Sequence, residues 1–329
     1  MVKAADRAAA IGADALQIFS DNPTAWRRRS GPPAEVHAFL RRLELLGLGP
    51  LAIHASYLVN LAGPDEEIHE KSVAVLAHEL VVAQAYRARF VNVHIGSHRG
   101  TGAEVGAERV ATTVLRAFET AGTGAPDPVL SLENSAGGGY GMGSTMDELA
   151  LVMAAIDARG LPRERIGITL DTAHLWGAGH PISTGAGLDR VIERFDGLIG
   201  LDRLAMIHLN DSRAERGSAL DRHQHIGAGL IGEEGMRAVL CDPRLAHVPV
   251  YLETPGMDEG FDAVNVARCR ALMAGRPLDE LPPEALVMRG SRARSAPPRE
   301  AGDEETEDED VPMRSRNRPP VAGADRAGQ

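Results

Sequence analysis

Six successive apolar runs of this chain each close on a side chain able to bind a metal ion. His54 ends LAIH, His94 ends FVNVH, Glu133 ends VLSLE, Asp171 ends IGITLD, His208 ends LAMIH and Glu253 ends VYLE. The runs are of strand length, and helix-capable segments separate them; Asp65–Arg89, for example, carries Val73, Leu76, Leu80 and Ala83 at helical spacing. With the earlier run ALQIFS, seven strands are expected: Ala15–Ser20, Leu51–Ala55, Phe90–Gly96, Val129–Asn134, Ile166–His174, Leu204–Asp211 and Val250–Thr254. Strands alternating with helices make βαβ units and a parallel sheet, which gathers ligand chemistry at the carboxyl ends of its strands. Six neighbouring strands ~4.8 Å apart would spread those ends over roughly 24 Å if the sheet stayed open. Metals sharing a reaction sit about 3.5–4 Å apart. A sheet curled into a barrel unites the six ends.

Two nearby additions enlarge the set. His174 follows Asp171 by three residues, and DRH supplies Asp221 and His223. Five imidazoles and four carboxylates suit zinc, with manganese or iron as substitutes. Nine ligands are too many for one tetrahedral ion, but with one bridging carboxylate they can hold three. Three divalent ions outweigh four carboxylates, and that local positive excess fits an anionic substrate such as a phosphodiester. The other seven histidines, His37, His69, His78, His98, His180, His225 and His247, fall in helical segments or loops and read as ordinary surface or packing residues.

Charge and composition narrow the class further. There are 35 basic against 46 acidic residues, a net −11, which argues against a basic coat for non-specific nucleic-acid binding. No apolar run reaches 18 residues, so no membrane span is expected. The opening residues lack a secretory pattern. Two cysteines, Cys241 and Cys269, and no CxxC suit a reducing cytoplasm. Residues 1–289 are expected to form the barrel. Residues 290–329 read as a charged, Pro- and Arg-rich disordered tail, with seven arginines against nine acidic residues and the run DEETEDED.

These segments resemble the endonuclease IV family of apurinic/apyrimidinic endonucleases, zinc-dependent TIM (β/α)8 barrels. The resemblance spans roughly Ala4 to Gly275 and is carried by IHASYLVNLAGP, VNVHIGSHRGTG, LSLENSAGGG, TLDTAHLWGAG, HLNDS, DRHQHIGAG and YLETPG. It implies that His54 and His94 hold a first zinc and that Glu133 bridges it to a second, completed by Asp171, His208 and Glu253. His174, Asp221 and His223 would hold the third. Glu133, Glu253 and His174 would carry the catalysis. The implied partner is double-stranded DNA containing abasic sites, cut on the 5′ side by a monomeric enzyme to leave a 3′-hydroxyl and a 5′-deoxyribose phosphate. Tyr57 and Asn60 match positions that meet DNA.

The chain also departs from the family pattern. Thr24 and Ala25 stand where an arginine and a glutamine enter the duplex, so Arg27, in the run Arg27–Arg29, is the expected phosphate contact. Ala228 replaces a common acidic residue. The family's opening strand, a GAHVS-like segment, has no counterpart ahead of the helical stretch Ala4–Gly12; the barrel is therefore expected with seven strands, and either an apolar strand is expected upstream of Met1 or the seven-stranded form is expected to be marginally stable. The alternatives are a xylose-isomerase-like sugar isomerase or epimerase, and an inactive DNA- or metal-binding relic.

Overall fold

All seven runs form parallel strands. The computed structural model describes residues 1–124 and 128–287. Its strands are β1 (Leu16–Phe19), β2 (Leu51–His54), β3 (Phe90–His94), β4 (Val129–Glu133), β5 (Ile166–Asp171), β6 (Leu204–His208), the short pair β7 (Asp211–Ser212) and β8 (His223–Gln224), and β9 (Val250–Tyr251). The main sheet runs β1-β2-β3-β4-β5-β6-β9, with every neighbour parallel. Helices α1 (Val2–Ala10), α2 (Val36–Leu46), α3 (Glu66–Ala85), α4 (Ala103–Ala121), α5 (Met146–Asp157), α6 (Thr172–Gly177), α7 (Gly185–Leu198), α8 (Gly232–Cys241) and α9 (Phe261–Met273) complete the alternation.

One side-chain contact proves the curl. His208 at the end of β6 lies 3.0 Å from Gln17 of β1, Nε2 to Oε1, although five strand spacings, roughly 24 Å in a flat sheet, separate those strands in the sheet order. The architecture is thus a nearly closed TIM barrel of seven strands. Its order ends at β1 and β9, which are not hydrogen-bonded neighbours. Side chains lace that seam: Gln17 Nε2 donates to Glu253 Oε1 at 2.7 Å, and Arg270 pairs with Asp14 at 2.9 Å.

The apolar periodicity does what it implies. Leu76 and Leu80 of α3 are fully buried, as are Ile53, Val91, Leu130, Leu132 and Ile168 of the strands. Asp65 caps α3 by accepting from Ile68 N at 2.9 Å, satisfying a donor that the first helical turn leaves free. Several strands are shorter than expected, among them β1, β3 and β6, the last ending at His208 rather than Asp211, and three further details differ. β5 stops at Asp171, because that carboxylate caps α6 and turns Thr172–His174 into helix. β9 spans two residues instead of five. The antiparallel β7–β8 pair appears where none was expected. The compact unit runs Met1–Leu286, and the expected tail lies outside the described residues. Among these, no helix is long and apolar enough to cross a membrane.

Candidate metal centre

The strand-end side chains converge as the barrel geometry requires. Three overlapping groups place their ligand atoms within 4.8 Å of one another: His54, His94 and Glu133; Glu133, Asp171, His208 and Glu253; and Asp171, His174 and His223. Asp221 joins the last group, with His223 Nε2 2.9 Å from its Oδ1 and His174 Nε2 3.3 Å from its Oδ2. All nine expected ligands therefore meet in one place.

Glu133 stands at the centre. Its Oε2 faces His94 at 3.3 Å and His54 at 3.6 Å, while Oε1 faces His208 at 3.2 Å and His174 at 3.3 Å. Burial would raise this carboxyl, but His208 and His94 hold it well below the usual range. Burial would lower His208, yet Glu253 and Glu133 lift it to about 9. His223 likewise rises against burial to about 9 beside Asp221 and Asp171. The cluster thus demands positive charge among its carboxylates, which divalent cations supply by displacing protons from the imidazoles. One atom tests the fit. His223 Nε2 is buried between Asp221 Oδ1 at 2.9 Å and Asp171 Oδ2 at 3.7 Å without the alignment of a hydrogen bond to either, the arrangement of a nitrogen and two carboxylates around a shared cation.

A layer of amides and carbonyls orients these ligands. Nδ1 of His54 meets Ala55 O at 2.7 Å, that of His174 meets Asn134 O at 2.9 Å and that of His223 meets Glu253 O at 2.8 Å, so each ring presents Nε2. Asn210 donates to Asp171 Oδ2 at 2.6 Å and accepts from Glu253 N at 2.9 Å. Within the barrel, Asn92 donates to Glu133 Oε2 at 2.5 Å and accepts from Thr169, which contacts Ser131 at 2.6 Å. Sequence reasoning assigned no role to Asn92, Asn134, Thr169 or Asn210. Their only signal is adjacency to ligands or a place on the same strands.

The expected DNA contacts separate. Tyr57 is 53% exposed and stands over the first group, its ring centroid 5.5 Å from that of His54 and 6.0 Å from that of His94; Phe19 adds a second ring beside both Tyr57 and His54. Asn60 is instead engaged within the protein: Nδ2 donates to Ser97 O at 3.1 Å, and Oδ1 accepts from Ser97 N and Ala62 N. Gly96 permits that approach, since a Cβ there would lie 2.9 Å from the Asn60 backbone and its φ is +92°. Arg27 is exposed, whereas the side chain of Arg28 packs inward against Glu79 at 3.5 Å and Arg29 pairs with Asp21 at 2.7 Å.

A barrel that clusters metal-ligand side chains at the carboxyl ends of its strands defines a metal-dependent enzyme of the xylose isomerase-like TIM barrel class, and residues 5–275 match the model of that family. A probable endonuclease 4 of Methanoculleus marisnigri is 43% identical over 270 residues, covering 82% of this chain and 94% of that protein. A probable endonuclease 4 of Chloroflexus aurantiacus is 38% identical, covering 82% and 93%. The crystal structure of endonuclease IV from Thermus thermophilus matches with a TM-score of 0.72 at 40% identity, covering 83% of this chain and 94% of that one. The chain belongs to the endonuclease IV family. A D-tagatose 3-epimerase-like protein, at 16% identity and a TM-score of 0.58, shares the fold.

Proposed function

We propose that the chain hydrolyses the DNA backbone on the 5′ side of abasic sites, leaving a 3′-hydroxyl and a 5′-deoxyribose phosphate, with three divalent ions, zinc foremost. The observation that carries this reading is the gathering of all nine candidate ligands in one linked cluster, with Glu133 shared by two of its three groups. His54, His94 and Glu133 would hold the first ion; Glu133, Asp171, His208 and Glu253 the second; His174, Asp221 and His223 the third. Such ions lower the pKa of water, bind phosphoryl oxygens and neutralise a leaving oxygen. The chain's own residues do the rest. Glu133 keeps the first two groups together, the backbone carbonyls hold three imidazoles in one tautomer, and the rings of Tyr57 and Phe19 offer faces for the sugar and bases beside the target phosphate. The exposed Arg27 would meet a flanking phosphate, and the free thiols Cys241 and Cys269 accord with a reducing compartment such as the cytoplasm.

The isomerase reading has little to stand on in these residues. Some sugar isomerases use a catalytic lysine, and Lys71, which lies on α3, pairs with Glu67 there. The test is incision of a 5′-labelled duplex carrying one abasic site by zinc-loaded protein, beside intact duplex and a ketose sugar. Cleavage 5′ to the lesion alone supports the proposal. No incision, or conversion of the sugar, overturns it.

A further inference from the structure

His208 is held differently from its neighbours. His54, His174 and His223 give Nδ1 to backbone carbonyls, which no substitution removes, and present Nε2 to the cluster. His208 presents Nδ1, 3.2 Å from Glu133 Oε1 and 3.4 Å from Glu253 Oε2. Its Nε2 meets a side chain, the Oε1 of Gln17 at 3.0 Å. The other end of that amide donates to Glu253 Oε1 at 2.7 Å. The orientation is dictated by chemistry: an ionised carboxylate only accepts, so the amide nitrogen must face Glu253 and the amide oxygen must face His208. His208 must then donate from Nε2, which leaves Nδ1 as the nitrogen that can carry a lone pair into the cluster.

We propose that Gln17 is a positioning residue of the metal centre. From the edge strand β1 it reaches across the seam, fixes the tautomer of His208 and aims the carboxylate of Glu253, so two ligands of the second group depend on one side chain that is itself no ligand. The inference rests on the metal-binding reading above. It makes the second group the one whose affinity responds to a residue outside the nine, because residues that orient ligands typically change affinity 10–100-fold when removed.

Gln17→Met keeps the length and volume of the side chain and removes both hydrogen bonds. Wild type and variant are equilibrated with zinc over a graded series of free concentrations set by a chelator, and bound zinc is counted. The cobalt-loaded forms give an absorption spectrum that reads ligand geometry apart from activity. The expected result is one zinc bound about 10–100-fold more weakly, the other two unchanged, and a cobalt spectrum altered in the same step. Unchanged zinc affinities and an unchanged spectrum overturn the proposal. His208→Ala separates the two readings: if it leaves zinc binding intact, the metal-binding reading fails rather than the role of Gln17. Should Gln17→Met not fold, Gln17→Asn, too short to span both partners, is held to the same outcomes.

Discussion

At the scale of single residues, Glu133 is the most exposed to test because its two oxygens serve different imidazoles. Glu133→Gln preserves shape and removes the charge between neighbouring cation groups. Incision should fall by about a thousandfold or more and zinc content should drop, with the far-ultraviolet spectrum unchanged; near-normal cleavage at full zinc would reject the bridge. His223→Ala should lower zinc by about one ion per chain and reduce incision on the order of a hundredfold or more, read by metal analysis beside the same assay. Six of the nine candidate ligands were legible because each closes one of six successive strand runs, and a period that regular points at a shared location; His174, Asp221 and His223 followed from their nearness to these and from the family resemblance. The amides were not. Asn92 precedes His94 by two residues in VNVH, yet its partners Glu133 and Thr169 lie 41 and 77 residues away, and no local spacing encodes a contact made only when the strands curl together. The inward turn of the Arg28 side chain escaped the sequence for the same reason: its partner Glu79 sits on another element.

At the scale of elements, Asp171 joins helix start to ligand set. Its Oδ1 accepts from His174 N at 2.8 Å, so the carboxylate that caps α6 also sets where His174 enters the cluster. The β7–β8 pair escaped the sequence because two residues per strand show no alternation, although it positions His223. A second element-level link fastens the loop after β1 to α3 through Ser20, Arg28 and Glu79. Burial raises Glu79 from 4.5 to about 7 despite the help of Ser20 and Arg28. The folded state therefore binds this proton more tightly than the unfolded state, and its contribution is full below about pH 4.5 and lost as pH rises to about 7. Glu79→Gln cannot titrate. Between pH 4.5 and 7.5 the stability difference between the two proteins should move by about 3 kcal/mol in favour of the variant, measured by urea unfolding. A difference that stays flat would mean that Arg28 already holds Glu79 ionised.

At the scale of the whole molecule, the candidate centre draws on β2, β3, β4, β5, α6, β6, the β7–β8 pair and the segment after β9. Cations bound only by the folded barrel should stabilise it by mass action, about 4 kcal/mol for a site a thousandfold above its dissociation constant. Chelation should accordingly lower the melting temperature by several degrees, about 2–4 °C per kcal/mol, and added zinc should restore it; equal melting curves would separate the ligands from the fold's stability. The barrel itself was legible from the spacing of its strands, whereas the way its two ends meet was not, because that junction rests on Gln17 and Arg270 rather than on any apolar pattern. The open order of the sheet has a consequence in time. Amide hydrogens of β1 and β9 that point into the seam have no ladder to break before they exchange with solvent, so deuterium should enter these two strands first. Gln17 and Glu253 meet across that same seam, so a cation held by Glu253 would leave by the motion that admits deuterium, and breathing and metal release would be one event seen by two clocks.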